Sequence, residues 1–180
     1  MSRKIEFFVP GTPVGKGRPR AARRGAGVVM FTPEKTVGYE GLVAATAAAA
    51  LAGNALAHQL LDGPLNAVLE MRFPVPASWS KAKRARALAG VEWHTSKPDA
   101  DNVAKAVLDA CNGVVFRDDS QIVMLTATKE FSETPGVRVV IREVQNERPV
   151  HPRACGEQSA PHGDSQELAG SSPRMRGTGR

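Results

Sequence analysis

The sequence has few cysteines, few aromatic residues and no long apolar run. Only 2 of its 180 residues are cysteine, and 5% are aromatic. Two cysteines are too few for a disulfide framework or for a zinc site built on thiolates. The alanine-rich run at residues 44–52 is too short to cross a membrane, and the N-terminal residues lack the apolar segment of a secretory signal. We therefore expect the chain to work in a reducing, cytoplasmic environment.

The net charge is positive, at +6, with a pI near 9.7. Such a charge favours polyanionic partners, above all nucleic acid. The length suits one domain, which we place at residues 1–144. Residues 145–180 have few large apolar side chains, so we expect a disordered basic tail there. Because part of the charge belongs to this tail, a DNA-binding function has to be argued from segments inside the domain.

Apolar periodicity predicts an α+β domain, with a sheet of about four strands and flanking helices. A helix should begin at Thr32, as its cap, and run toward Leu61. Gly63 and Pro64 then break the chain. The last two strands should form an antiparallel pair joined through residues 133–136. The predicted strands are residues 5–9, 28–31, 65–73, 121–129 and 137–144, and the other predicted helices are residues 78–88 and 101–111.

Two basic segments are candidates for DNA phosphate binding. The glycine- and proline-rich segment 11–27 is not a phosphate-binding P-loop, because its spacing is wrong and Gly17 stands where a hydroxyl is needed. We interpret it as a mobile basic arm that orders on a phosphate backbone. The alternative for both segments is a solvated surface without a partner. The candidate cations are Lys16, Arg18, Arg20, Arg23 and Arg24 in the arm, and Lys81, Lys83, Arg84 and Arg86 in the short helix.

An acidic stretch, residues 97–121, contrasts with the basic remainder. It contains Asp99, Asp101, Asp109, Asp118 and Asp119. Clustered carboxylates repel one another, and a bound Mg²⁺ or Mn²⁺ removes that cost while leaving coordination sites for water and phosphate. Metal held in this way can polarise a phosphodiester and generate hydroxide from water.

Position suggests a role for each acidic group. Asp99 and Asp101, at the start of a helix, can face one point, and Asp118 with Asp119 can supply a further ligand from a turn. Lys105, one helical turn after Asp101, can stabilise charge on the phosphate. The structural alternatives are that the first pair only caps the helix, that Asp101, Lys105 and Asp109 form an ion-pair ladder, and that the second pair only forms a turn.

The order of these residues resembles the RusA-type Holliday junction resolvases of bacteria and their phages. The resemblance covers roughly residues 4 to 144. It implies a small α+β fold with a mixed sheet and a homodimeric, Mg²⁺-dependent endonuclease that cuts four-way DNA junctions by paired nicks in recombination and repair. The motif reads Lys97-Pro98-Asp99-x-Asp101-Asn102-x-x-Lys105, then Asp109, Asn112-Gly113 and Asp118-Asp119-x-Gln121, with similar patterns at residues 11–20 and 78–81.

The resemblance also implies roles for individual residues. Asp99, Asp101 and Asp119 match the catalytic, metal-binding carboxylates, and Lys105 matches the essential lysine. Asp118 and Asp109 match acidic positions of less defined role, with Asp118 a further metal-ligand candidate. Lys97 joins the DNA-binding candidates, and Mn²⁺ is expected to substitute for Mg²⁺. Two other functions stay open: a DNA-junction binder without catalysis, and a general Mg²⁺-dependent nuclease.

Overall fold

A computed structural model describes residues 3–18, 20–25, 27–53 and 59–144. Its centre is a mixed four-stranded sheet in the order β1-β6-β4-β5, with a separate hairpin of β2 and β3. This confirms the α+β class and the mixed sheet. The elements are β1 (Lys4–Pro10), β2 (Arg20–Arg24), β3 (Gly27–Phe31), α1 (Glu34–Ala52), β4 (Leu65–Pro74), α2 (Lys81–Leu88), α3 (Ala100–Cys111), β5 (Ile122–Ser132) and β6 (Gly136–Glu143), with a single 3₁₀ turn at Asp119–Gln121.

The core lies between one face of the sheet and the helices α1 and α3. On β4, alternate residues are buried, as expected for a strand with one face in the core. On α3, the predicted apolar stripe is confirmed. Burial raises the pKa of the Cys111 thiol to about 12, so this cysteine is a packing residue. The buried stripe consists of Val103, Ala104, Val107, Leu108 and Cys111.

The opposite face of the sheet carries a ladder of charges that crosses all four strands. Arg138 on β6 bonds to Glu6 on β1 at 2.6 Å and to Glu70 on β4 at 2.7 Å. Arg72 on β4 bonds to Glu70 at 3.1 Å and to Glu130 on β5 at 3.0 Å. The two arginines of this ladder are thus matched by carboxylates. The basic arm packs on the helical side, against α3, and we take that side as the candidate DNA surface.

The predicted pairing of the last two strands is wrong. β6 pairs antiparallel with β1 and β4, whereas β5 pairs parallel with β4 on the other side. β4 therefore lies between β5 and β6. Residues 133–135, which join β5 to β6, can span the roughly 10 Å across one intervening strand, so a short connection does not require direct pairing.

The predicted basic arm is only in part a loop. Arg20, Arg23 and Arg24 lie on β2, which forms a hairpin with β3. Gly25 turns this hairpin with a φ of +63°. The strand β2 was not predicted because its residues contain only alanine and arginine and show no apolar alternation. Earlier in the arm, the Gly17 amide donates a hydrogen bond to the buried Thr36 hydroxyl at 3.2 Å.

The boundaries of α1 also differ from the prediction. Its N-cap is Pro33, which makes no side-chain capping bond, and not Thr32. The helix ends at Ala52 with Gly53 as the C-cap, well before Leu61. Alanine propensity predicts that a helix forms but not where it stops. His58, Cys155 and the predicted tail lie outside the described residues. No helix in the described part of the chain has the length and apolar character needed to span a bilayer.

Candidate active site

A groove of about 650 Å³ brings the basic arm against the start of α3. The Lys16 amide donates to the Asn102 carbonyl at 2.8 Å. Gly15 allows this close approach, since a Cβ there would lie 3.1 Å from Pro98 Cβ and 3.3 Å from Asn102 Cβ. The groove thus places cations of the arm beside the first acidic residue of the motif. It is lined by Gly15, Lys16, Arg18, Lys97, Pro98, Asp99 and Asn102.

Asp99 occupies the N-cap position of α3, but its carboxylate forms no capping hydrogen bond. Its backbone carbonyl accepts the Val103 amide at 3.2 Å, and Asn102 Nδ2 donates to Asp99 Oδ2 at 3.5 Å. A long bond of this kind is weak. Helix capping therefore does not occupy this carboxylate, which remains available to a ligand in the groove.

Asp101 lies in the first turn of α3, where the helix dipole favours a negative charge. Lys105 Nζ lies 3.3 Å from Asp109 Oδ1, one turn further on. Among the described residues, no salt bridge joins Lys105 to Asp101. Only half of the alternative ion-pair ladder is formed, and the Asp101 carboxylate is not part of it.

Asp109 is neutralised from two sides. Lys16 Nζ lies 2.9 Å from Asp109 Oδ2 and 2.5 Å from Glu40 Oε1, while Lys105 approaches the other Asp109 oxygen. Burial by itself lowers the pKa of Lys16, but the bonds to Glu40 and Asp109 outweigh it and raise the pKa above its usual value. Asp109 and Glu40 thereby fix the arm lysine between α1 and α3.

Asp118 and Asp119 follow each other in the turn before β5 but differ in their surroundings. Asp118 Oδ1 accepts the Ser120 amide at 2.9 Å, while the Gln121 side chain accepts the Asp118 amide at 3.2 Å, forming a capping box. Hydrogen bonds from Ser120 hold the pKa of Asp118 below its usual value. Within the part of the chain that the structure describes, the exposed Asp119 carboxylate has no such partner. Asp118 is engaged in shaping the turn, and Asp119 is free.

The predicted metal ligands lie on two elements, the start of α3 and the turn before β5. Across residues 3–18, 20–25, 27–53 and 59–144, no group of three or more His, Cys, Asp and Glu side chains is arranged to hold a metal ion. The assignment of Asp99, Asp101, Asp119 and Asp118 to a metal therefore stays a prediction.

Lys129 on β5 is a candidate positioning residue that the sequence analysis missed. Its Nζ donates to the Ser96 carbonyl at 2.6 Å and to the Pro98 carbonyl at 2.9 Å. These bonds fix the segment that leads into Asp99. Lys129 interrupts the apolar side of β5 and is the sheet partner of the buried Met71. A lysine at such a position in a strand is the signal that could have identified it. Asn102 was visible in the motif, but its role in holding the arm was not.

The basic helix α2 starts at Ser80, whose hydroxyl accepts the Lys83 amide at 3.3 Å. Lys83 Nζ lies 3.9 Å from the centre of the Trp79 ring. Arg84 donates to the Pro76 carbonyl at 3.3 Å, and Lys81 is exposed. This helix presents a positive surface, which suits DNA binding. The assignment of its cations to DNA binding remains a prediction.

Comparison with known proteins identifies the family. Residues 10–142 match the family model described as endodeoxyribonuclease RusA. The chain is also 39% identical over 142 residues to a protein of Bacillus subtilis (strain 168) described as uncharacterized protein YqaN, covering 78% of this chain and 96% of that protein. The match spans the arm, α3 and the acidic turn. The chain belongs to the RusA endodeoxyribonuclease family, the Holliday junction resolvase family that its motifs resemble.

Proposed function

We propose that this protein is a Mg²⁺-dependent endonuclease that resolves four-way DNA junctions by paired nicks, in DNA recombination and repair. One observation carries the proposal beyond the family: Asp99, with its carboxylate unused by the helix, shares a groove with three cations of the protein. Carboxylates without cations beside them would repel the phosphates of DNA. A metal-binding carboxylate in a DNA-cutting site therefore needs nearby cations. Family membership supports the reaction class.

The carboxylate donors of the proposed site suit Mg²⁺ in their chemistry. Mg²⁺ is usually held by one or two carboxylates, with water and substrate phosphate completing its coordination. Asp99 and Asp101 supply two exposed carboxylates in or next to the first turn of α3, and Asp119 is a third, from the turn before β5. When bound, the metal ion would activate water and stabilise charge on the phosphodiester. Mn²⁺ should substitute, since it also prefers oxygen ligands.

The protein's own side chains then have distinct tasks. Asp99, Asp101 and Asp119 hold the metal, and Lys105 stabilises the charge that develops on the phosphate. The Lys105 side chain is 60% exposed, so it can reach a bound backbone. Asp118 serves mainly to cap the turn that presents Asp119.

Cations of both basic segments bind the DNA phosphates. Arg18 and Lys97 face the groove, Arg20, Arg23 and Arg24 lie on the β2 strand, and α2 adds further cations. Lys16 lines the groove but stays bonded to its two carboxylates, so its task is to hold the arm against α1 and α3. The proposed place of action is the bacterial cytoplasm, whether the protein is encoded by a bacterium or by a phage.

Paired nicks require two active sites, and we propose that a second copy of the chain supplies the other. Among the described strands, β5 pairs only with β4, which leaves its outer edge open. Val123, Met124 and Leu125 on this edge strand are 58%, 50% and 49% exposed, and residues 122–128 carry no charge. An open apolar edge without charges pairs readily with another strand. Two copies of β5 can therefore extend the sheet across a twofold axis.

A junction-cleavage assay tests the proposed reaction. A labelled synthetic four-way junction is incubated with wild-type protein and with Asp101→Asn, with Mg²⁺ or with a chelator. We expect symmetric nicks only with wild type and metal. The variant should still bind the junction, because it has lost only an anionic charge on the DNA side. A junction left intact by wild type with metal would favour the binder without catalysis. Equal cutting of linear duplex and flap DNA would favour the general nuclease.

A further inference from the structure

The most exposed large apolar side chain in the described part of the protein is a tryptophan close to the candidate site. Trp93 is 68% exposed. Tryptophan has a large apolar surface and is rarely left in water without a partner. It lies in the segment between α2 and α3, six positions before Asp99. Six residues span at most about 20 Å, so the Cα atoms of Trp93 and Asp99 lie within about one duplex width of each other.

The backbone around Trp93 is fixed on both sides. Glu92 forms a salt bridge with Arg86 of α2 at 3.0 Å. The His94 ring stacks on Phe73 with a centroid distance of 3.9 Å. A side chain on an anchored segment loses little backbone entropy on binding, so the exposed ring is already arranged for a partner.

Cations lie on both sides of Trp93 in the sequence. The helix α2 before it carries Lys81, Lys83 and Arg84, besides the Arg86 that pairs with Glu92, and Lys97 follows it at the groove. A second protein chain that docked an apolar patch here would have to bury or neutralise these cations. A nucleic acid satisfies both features, because its phosphates pair with the cations and its bases stack on the ring.

We propose that Trp93 stacks on a base at the branch point of a four-way junction and so favours branched over linear DNA. This inference rests on the proposed junction-cutting function. Inside a linear duplex both faces of each base are covered by neighbouring bases, and unstacking them costs free energy. At a branch point the stack is interrupted, and an aromatic ring can cover the open face of a base.

The test is a binding comparison in chelator, with a fluorescently labelled four-way junction and a linear duplex of the same sequence. Trp93→Ala should weaken junction binding by about 10- to 100-fold, the usual effect of removing one base-stacking ring. Binding to the linear duplex should stay nearly unchanged. Trp93→Tyr should restore most of the junction preference, since it returns an aromatic face. Val91→Ala is the matched control, because Val91 is also exposed, at 59%, in the same segment.

The outcomes separate this inference from the proposed function. If wild type cuts the junction and Trp93→Ala keeps the wild-type ratio of junction to duplex affinity, the stacking role is overturned and the function stands. The role is also overturned if Trp93→Ala turns a dimer into a monomer in sedimentation, which would assign the ring to a protein contact. A wild type that leaves the junction uncut would remove the proposed function, and the binding ratio in chelator would still decide the stacking role.

Discussion

Replacing Lys129 by methionine should loosen the segment that carries Asp99. Methionine keeps the unbranched stem, which runs near the Phe73 ring, with the lysine Nζ 5.7 Å from the ring centre. It removes both hydrogen bonds from the ammonium group to the Ser96 and Pro98 carbonyls. The backbone before Asp99 would then lose its link to β5.

The size of the effect follows from those two bonds. A hydrogen bond from a charged donor contributes about 1.5–3 kcal/mol, less where water can replace it. One of the two bonds is exposed and the other is partly buried, so we expect a total near 2 kcal/mol. This corresponds to roughly a 30-fold loss in the population of the anchored segment. Cleavage at limiting Mg²⁺ should fall by up to that factor.

Two measurements check this prediction. Urea denaturation should show a free energy of unfolding lowered by about 2 kcal/mol or less. The loss is limited because the segment can open locally while the rest of the domain stays folded. Cleavage should require a higher Mg²⁺ concentration and recover in part at saturation. The control is Lys35→Met on α1, an exposed lysine without a hydrogen bond or ion pair among the described residues. If Lys129→Met cleaves with the wild-type Mg²⁺ dependence, Lys129 does not position the site.

Three further predictions concern the turn, the dimer and pH. Asp118→Asn should keep metal-dependent cleavage because asparagine also caps, whereas Asp119→Asn should abolish it; the opposite result in the cleavage assay would exchange their roles. Leu125→Arg should convert a dimer to a monomer in sedimentation, since like charges meeting across a twofold axis cost several kcal/mol, and an intact dimer would exclude this edge as the interface. Burial and then Lys129 lower the pKa of His94 below 6.5, so the folded state keeps it neutral and the free energy of unfolding should decrease as pH falls from 6.5 toward that lowered pKa. His94→Phe keeps the ring stack and should flatten this decrease in urea titrations, and an unchanged slope would assign the pH dependence to other groups.

Local patterns in the sequence predicted much of the fold. The alternation on β4 and the apolar stripe of α3 follow from burial, and buried positions are visible in the sequence as apolar residues at regular spacing. Local patterns do not predict strand order. The patterns of β5 and β6 suit pairing with each other, but β4 lies between them in the sheet. The end of α1 was missed because alanine favours helix without marking its limit.

The candidate site was predictable in its residue types but not in its partners. Five aspartates in a basic chain indicated metal chemistry, and the family motif selected three of them. The family motif ranked Asp119 above Asp118, but the capping role of Asp118 was not predictable, since capping depends on the backbone geometry of the 3₁₀ turn. The bonds of Lys16 to Glu40 and Asp109 join residues distant in sequence, so no local pattern predicts them.

The charge ladder on the outer face of the sheet makes this a one-sided protein. Its two arginines and three glutamates satisfy one another across all four strands, so the ladder offers DNA no unmatched arginine. A protein that is basic all round coats any duplex and bridges separate molecules. Here the groove cations and the proposed metal ligands of α3 lie on the helical side, so each copy would turn that surface to DNA. In a dimer with extended sheets, both copies would turn that surface to the same side, as two cuts in one junction require.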